Sequence, residues 1–169
     1  MLDNGEVVVW GDDWWSVLTN GSTSSLPDGC RYVGISAGSY YNALGLLNNG
    51  EVIAWGIDGS DRVVSSATSV NREVFNRGRQ FVSISAGSRY ALGLLDNGEV
   101  VGWGNNHYGK ISGWKNALLR VGGSRYIAVS AGDHMSMGLT DNGKVVFWGH
   151  VSEVRMRKIY NGPRGRHFV

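Results

Sequence analysis

Apolar residues alternate with small or polar ones ahead of three Ser-Ala-Gly words: Val33, Ile35, Ala37, then Val82, Ile84, Ala86, then Ile127, Val129, Ala131. A period of two is the signature of a β-strand. The intervening positions are Gly34 and Ser36, Ser83 and Ser85, Ala128 and Ser130. Such small residues suit a face on which neighbouring sheets converge. A second apolar run follows each word, as in Ala-Leu-Gly-Leu-Leu at 91–95. An Asn-Gly pair at 49–50, 97–98 and 142–143 then predicts a tight type I′ hairpin. The last run ends in Trp-Gly. Each unit therefore reads as a three-stranded antiparallel meander followed by a variable connector, which is free to supply a fourth strand.

The pattern recurs at a nearly fixed interval. The hairpin glycines Gly5, Gly50, Gly98 and Gly143 are spaced by 45, 48 and 45 residues. The tryptophans Trp10, Trp55, Trp103 and Trp148 follow each glycine at a constant offset of five. A period in this range denotes a solenoid, a propeller or another array. One three-stranded sheet cannot bury both of its faces, and stacking sheets radially as propeller blades solves that problem. The predicted fold is all-β: propeller-type blades of antiparallel meanders forming a partial propeller of about 3.5 repeats. The expected division is one array over 1–169, with a partial repeat at 1–31 and repeats at 32–80, 81–125 and 126–169, the last ending where a further repeat begins. Trp10, Trp55, Trp103 and Trp148 are the expected blade anchors. Gly38, Gly87 and Gly132 are the expected strand ends, where a turn calls for positive φ.

The stretch from Ile84 to Ser112, "ISAGSRYALGLLDNGEVVGWGNNHYGKIS", resembles the repeat of the regulator of chromosome condensation family. The matching elements are Ala-Gly, the leucine-rich strand, Asp-Asn-Gly-Glu-Val, Trp-Gly and an Asn-x-x-Gly tail, here Asn106 to Gly109. The resemblance extends over nearly the whole chain and implies a propeller of about seven blades of roughly fifty residues each. The chain departs from the family pattern in two places. Histidine usually stands three residues after the Ala-Gly glycine, where this chain has Tyr41, Tyr90 and Met135. The tail is reduced to "NNHYGKIS" in one repeat. The chain thus resembles a divergent branch of that family.

Composition narrows the functional classes. Among 169 residues, 26 are glycine and 2 are proline, which fits many tight turns. The net charge of +2 does not by itself imply nucleic acid, so that class of partner is disfavoured without being excluded. No apolar run reaches the ~18 residues of a membrane span, and no membrane partner is expected. The single cysteine, Cys30, permits no intrachain disulfide, and the opening residues lack a secretory leader pattern. An intracellular location is the favoured expectation.

No catalytic signature emerges. The four histidines have no metal-ligand spacing, and neither a phosphate-binding loop nor a nucleophile elbow occurs. No cofactor or enzyme activity is expected. Candidate partner contacts are residues outside the repeated words. Trp14, Trp15 and Trp114 lie in connectors, while Arg89 and His134 follow the Ser-Ala-Gly turns. Arg155, Arg157, Lys158, Arg164 and Arg166 make the end of the chain basic. Residues 1–30 carry a net −5 and residues 144–169 a net +5, which suits a head-to-tail contact between copies or within a larger assembly. The leading expectation is a non-enzymatic interaction or structural module that binds protein through the connectors at 11–31, 57–80 and 105–125 and through open blade edges. The resemblance also allows guanine-nucleotide exchange on a small GTPase, and proteinaceous inhibition of an enzyme is a third class.

Overall fold

The computed structural model describes residues 7, 26–39, 42–56, 63–113 and 124–150, with the backbone alone over 63–66. Trp10, Trp14, Trp15, Trp114, Arg155, Arg157, Lys158, Arg164 and Arg166 lie outside the described residues.

Three antiparallel meanders stack side by side. Blade 1 holds β1 (Tyr32–Gly38), β2 (Asn42–Leu47) and β3 (Val52–Gly56). Blade 2 holds β4 (Phe81–Ala86), β5 (Tyr90–Leu95) and β6 (Val100–Gly104). Blade 3 holds β7 (Tyr126–Ala131), β8 (Met135–Thr140) and β9 (Val145–Gly149). The fold is mostly β, a partial array of propeller-type blades with no closed ring among the described residues.

The first strand of each blade carries the same irregularity. Its register shifts between Tyr32 and Gly34, between Phe81 and Ser83, and between Tyr126 and Ala128. One residue is extra each time: Val33, Val82 or Ile127, and each is exposed. Strict alternation sets these three on one face with Ile35, Ile84 and Val129; the bulge takes them off that face, where Ile84 and Val129 are partly buried and Ile35 is exposed. It turns the preceding aromatic residue inward instead. Tyr32, Phe81 and Tyr126 are buried, and each tilts against the tryptophan of its own blade. The centroid distances are 5.4 Å to Trp55, 5.9 Å to Trp103 and 5.8 Å to Trp148. The glycine in the middle strand makes room for the pair. A Cβ on Gly45 would lie 2.5 Å from the Tyr32 ring and 2.6 Å from Trp55. Gly93 and Gly138 stand in the same relation to Phe81 and Tyr126.

Adjacent blades join through a repeated set of contacts. Leu44 and Leu46 of blade 1 enter a cluster with Phe81, Ala86 and Trp103 of blade 2. Leu92 and Leu94 of blade 2 do the same with Tyr126 and Trp148 of blade 3. Burying each leucine contributes roughly 1.5–3 kcal/mol. The small residues serve the same junctions. Ser36 Oγ accepts a hydrogen bond from Ala86 N at 3.0 Å, and Ser85 Oγ accepts one from Ala131 N at 2.9 Å.

The hairpins differ from the expected type I′. Gly50, Gly98 and Gly143 have φ of +83°, +81° and +77°, whereas the asparagines before them are not in the positive-φ region. Gly50 N donates to Leu47 O, and Leu47 N donates to Glu51 O. This is a three-residue loop closed by a glycine bulge. The asparagine braces the turn through its side chain. Asn49 Oδ1 accepts from Glu51 N at 3.0 Å, and Asn97 Oδ1 accepts from Glu99 N at 3.0 Å.

The connector at 57–80 contains a helix, α1 (Val63–Asn76), in place of a fourth strand. Ala67, Val70 and Val74 recur at helical spacing and turn toward the blades. Asn71 pairs with the open edge of β3, accepting from Val52 N at 3.0 Å and donating to Val52 O at 2.8 Å. An edge strand is thereby covered. Gly78, at φ +66°, ends the helix: its N–H reaches Phe75 O, and Arg79 N reaches Val74 O. No helix among the described residues is long and apolar enough to cross a membrane.

Candidate protein-interaction rim

The meanders have two rims. One carries the hairpin turns. The other carries the first turns, where β1, β4 and β7 pass into β2, β5 and β8. At this second rim the three Ser-Ala-Gly words meet around a cavity of about 260 Å³, lined by Ala37, Gly38, Ala86, Gly87, Ala131 and Gly132. Ser39 Oγ donates to Asp133 Oδ1 at 3.2 Å beside it.

The glycines are needed here for a different reason from the one expected. Gly38, Gly87 and Gly132 do not have positive φ. Close approach excludes a side chain at the first two. A Cβ on Gly38 would lie 2.5 Å from Gly87 O, and one on Gly87 would lie 2.7 Å from Gly132 O. The positive φ in the β4–β5 turn belongs to Arg89, at +62°.

The residue after each of the first two turns reaches into the following blade. Register places Asn42, Tyr90 and Met135 at equivalent points, opposite Gly56, Gly104 and Gly149. Asn42, and not Tyr41, therefore fills the position that the family pattern gives to histidine; Tyr41 lies outside the described residues. Asn42 Nδ2 donates to Gly87 O at 3.0 Å. Tyr90 Oη accepts from Gly132 N at 3.1 Å. Its one hydrogen is shared between Met135 O at 3.0 Å and Ser136 Oγ at 2.8 Å. Burial raises the Tyr90 phenol above its ordinary range, so it stays protonated and able to donate.

The connector after β6 is strapped across the second junction. Ser136 Oγ and Trp148 Nε1 both donate to Lys110 O, at 3.0 Å and 2.7 Å. Lys110 is buried, with its ammonium 4.7 Å from the Tyr90 ring centre and donating to Ser88 O and Asp133 O at 3.3 Å and 3.4 Å. Asparagine side chains brace the rest: His107 N donates to Asn105 Oδ1, and Ile111 N donates to Asn106 Oδ1, both at 2.9 Å.

This strap presents Tyr108. The residue sits at φ +64° in the turn His107–Gly109 and is 52% exposed. Three imidazoles surround it. His107 lies 4.0 Å from its ring centre, His150 4.4 Å and His134 6.3 Å. His134 and Arg89 occupy equivalent corners of successive blades. Arg89 O accepts from Asn105 N, and His134 O accepts from His150 N, both at 2.8 Å.

Two of the sequence candidates, Arg89 and His134, thus lie on one rim. Sequence reasoning missed Tyr108, His107, His150 and Lys110. Their signal was the pair of asparagines before "HYG", both suited to bracing a turn through their side chains. Among the described residues, no group of three or more His, Cys, Asp or Glu is placed to hold a metal ion.

Residues 81–110 match the Regulator of chromosome condensation (RCC1) repeat. The matched span is blade 2 together with the strap as far as Lys110. Solved structures share the fold of these RCC1-type blades. The ectodomain of the Physcomitrella patens receptor kinase CR4 is 25% identical, with a TM-score of 0.53 over 79% of this chain and 33% of its own. The CRINKLY WD40 ectodomain of the Arabidopsis thaliana receptor kinase ACR4 is 22% identical, with a TM-score of 0.52 over 76% of this chain and 42% of its own. Prp20p from Saccharomyces cerevisiae, described with its binding to Gsp1p and histones, is 20% identical, with a TM-score of 0.55 over 77% of this chain and 35% of its own. The chain covers less than half of the length of each of these structures. No curated protein matches it.

Proposed function

We propose that this chain is a non-enzymatic protein-interaction module that binds a protein partner across the first-turn rim of blades 2 and 3. The observation that carries this reading is Tyr108: a large aromatic side chain, half exposed, in a backbone region that L-residues avoid. Such a conformation costs about 1–2 kcal/mol, and it persists only where surrounding structure enforces it. Here the Asn105 and Asn106 braces and the Lys110 strap do so. An exposed, rigidly held aromatic ring is a typical anchor of protein interfaces. The blades supply the rigid scaffold, and the connectors supply the variable residues. Protein binding in the description of Prp20p agrees with this reading.

Affinity capture from a native extract tests it, comparing the wild-type chain, a Tyr108→Ala/His134→Ala variant and an Asp96→Ala/Asp141→Ala variant at the other rim. At least one protein is expected to be held by the wild type and the hairpin-rim variant but lost from the first-turn variant, with melting unchanged. Loss from both variants, or from neither, contradicts the reading.

A further inference from the structure

Each junction between blades is made of two complementary halves. The earlier blade offers two leucines and a serine: Leu44, Leu46 and Ser36 at the first junction, Leu92, Leu94 and Ser85 at the second. The later blade offers an aromatic ring, a β-branched residue and an alanine from its first strand: Phe81, Ile84 and Ala86, then Tyr126, Val129 and Ala131. Where the halves meet, they bury one another, and none of the four leucines is more than 6% exposed.

The same two halves recur at opposite flanks of the three blades, and there they are open. Blade 3 repeats the first half. Met137 pairs with Ser130 as Leu44 pairs with Ser36 and Leu92 with Ser85, and Leu139 stands two residues on. Met137 is 38% exposed, and all three residues line a cavity of about 240 Å³. Blade 1 repeats the second half with Tyr32, Ile35 and Ala37. Val7 and Leu26 pack against the cluster of Tyr32 and Trp55, which leaves Ile35, at 50% exposed, and Ala37 as the open part. The flanking stretches of sequence have matching polarity. Residues 1–30, ahead of blade 1, carry a net −5, and residues 144–169, from the hairpin of blade 3 onward, a net +5.

We infer that the open flank of blade 3 docks on the open flank of blade 1 in a second copy of this chain, as a further junction of the same kind. Ile35 takes the place of Ile84 and packs against the partner's Met137 and Leu139. Ala37 N takes the place of Ala86 N and donates to the partner's Ser130 Oγ. Burying these apolar side chains removes them from water, which drives the contact. Methionine is unbranched and adaptable, and it suits a face that is alternately exposed and covered. Opposite charge on the flanking stretches steers the copies into this order. The contact is heterologous, because each copy brings one half to each of two neighbours. It uses a surface other than the first-turn rim and stands or falls apart from the reading above.

Sedimentation of the purified full chain at rising micromolar concentration is the test. The chain should self-associate, and Met137→Asp and Ile35→Asp should each weaken association about tenfold or more. Both side chains are exposed in the single copy, so melting of the dissociated variants should be unchanged. Mixed in equal amounts, the two variants should pair one to one, since each keeps the half that the other has lost. Association that ignores both substitutions overturns the inference. Sensitivity to one substitution alone, without rescue on mixing, points to contact between like flanks and also overturns it. So does a chain that stays monomeric. In that case, slow oxidation of Met137 by peroxide would assign its cover to a segment of the same chain, and fast oxidation would leave the flank unpaired.

Discussion

The hairpin rim and the first-turn rim are built from the same three meanders, yet they solve opposite problems. At the hairpin rim every repeated feature serves the fold. Gly50 O accepts from Phe81 N, and Gly98 O accepts from Tyr126 N, each at 3.2 Å, so each turn also anchors the next blade. The side chain of Gln80 lies over Gly50 and that of Arg125 over Gly98. The first-turn rim has the same close backbone packing below, in Gly38, Gly87 and the Tyr90 hydroxyl. Above it stand residues that touch one another across the second junction yet remain exposed: Tyr108, His107, His134 and His150. A strained aromatic residue that stays half exposed separates a surface suited to a partner from one that closes the fold.

The comparison yields graded expectations. The largest effect belongs to the support that both rims share. Trp103→Ala removes the partner of Phe81 and should cost about 3–5 kcal/mol in denaturant unfolding. A small loss would mean that the blades do not depend on the aromatic pair. Gly98→Ala comes next, because its Cβ would lie 2.6 Å from Arg125 Cβ at a φ of +81°. A loss of about 1–3 kcal/mol is expected, and no direct effect on binding. At the opposite rim, Arg89→Gly should change stability in the other direction. It relieves a φ of +62°, so melting should be unchanged or raised by the equivalent of about 0–1 kcal/mol. A clear loss would show that the arginine side chain holds the fold. The smallest effect concerns Glu99, whose carboxyl is held below its ordinary value first by the Asn97 amide and then by Arg77. A depressed folded value adds stability above the ordinary carboxylate range, and that stability is lost as pH falls through the folded value. Since the ion pair is exposed, the contribution is below about 1 kcal/mol. Glu99→Gln should flatten the acid limb of a stability–pH profile slightly, and an unchanged limb would mean that Glu99 adds nothing to the hairpin rim.

Much of this architecture was legible in the sequence. The fixed Gly-to-Trp offset marked the meanders, their hairpins and the radial stacking. The bulge was not legible, because alternation sets Val33, Val82 and Ile127 on one face with the next apolar residue, and only pairing with the middle strand shows a residue to spare. The helix was hidden by its place between β repeats. Ala67, Val70, Asn71 and Val74 carry helical spacing, and Gly78 carries the stop, but a strand-dominated reading absorbs them into a connector. At the rim, Arg89 and His134 stood out because they interrupt a repeated word. Tyr108 and His150 did not, since their proximity to His134 arises only when the strap crosses from blade 2 to blade 3.

The central claim is that one rim binds and the other folds. A parallel substitution scan of both rims, reading folded abundance and partner binding for each variant, tests it directly. The account predicts that changes at Arg89, His107, Tyr108, His134 and His150 lose binding at unchanged abundance, while changes at Gly50 and Gly98 lose both together. First-turn substitutions that unfold the chain, or that leave binding intact, would contradict it.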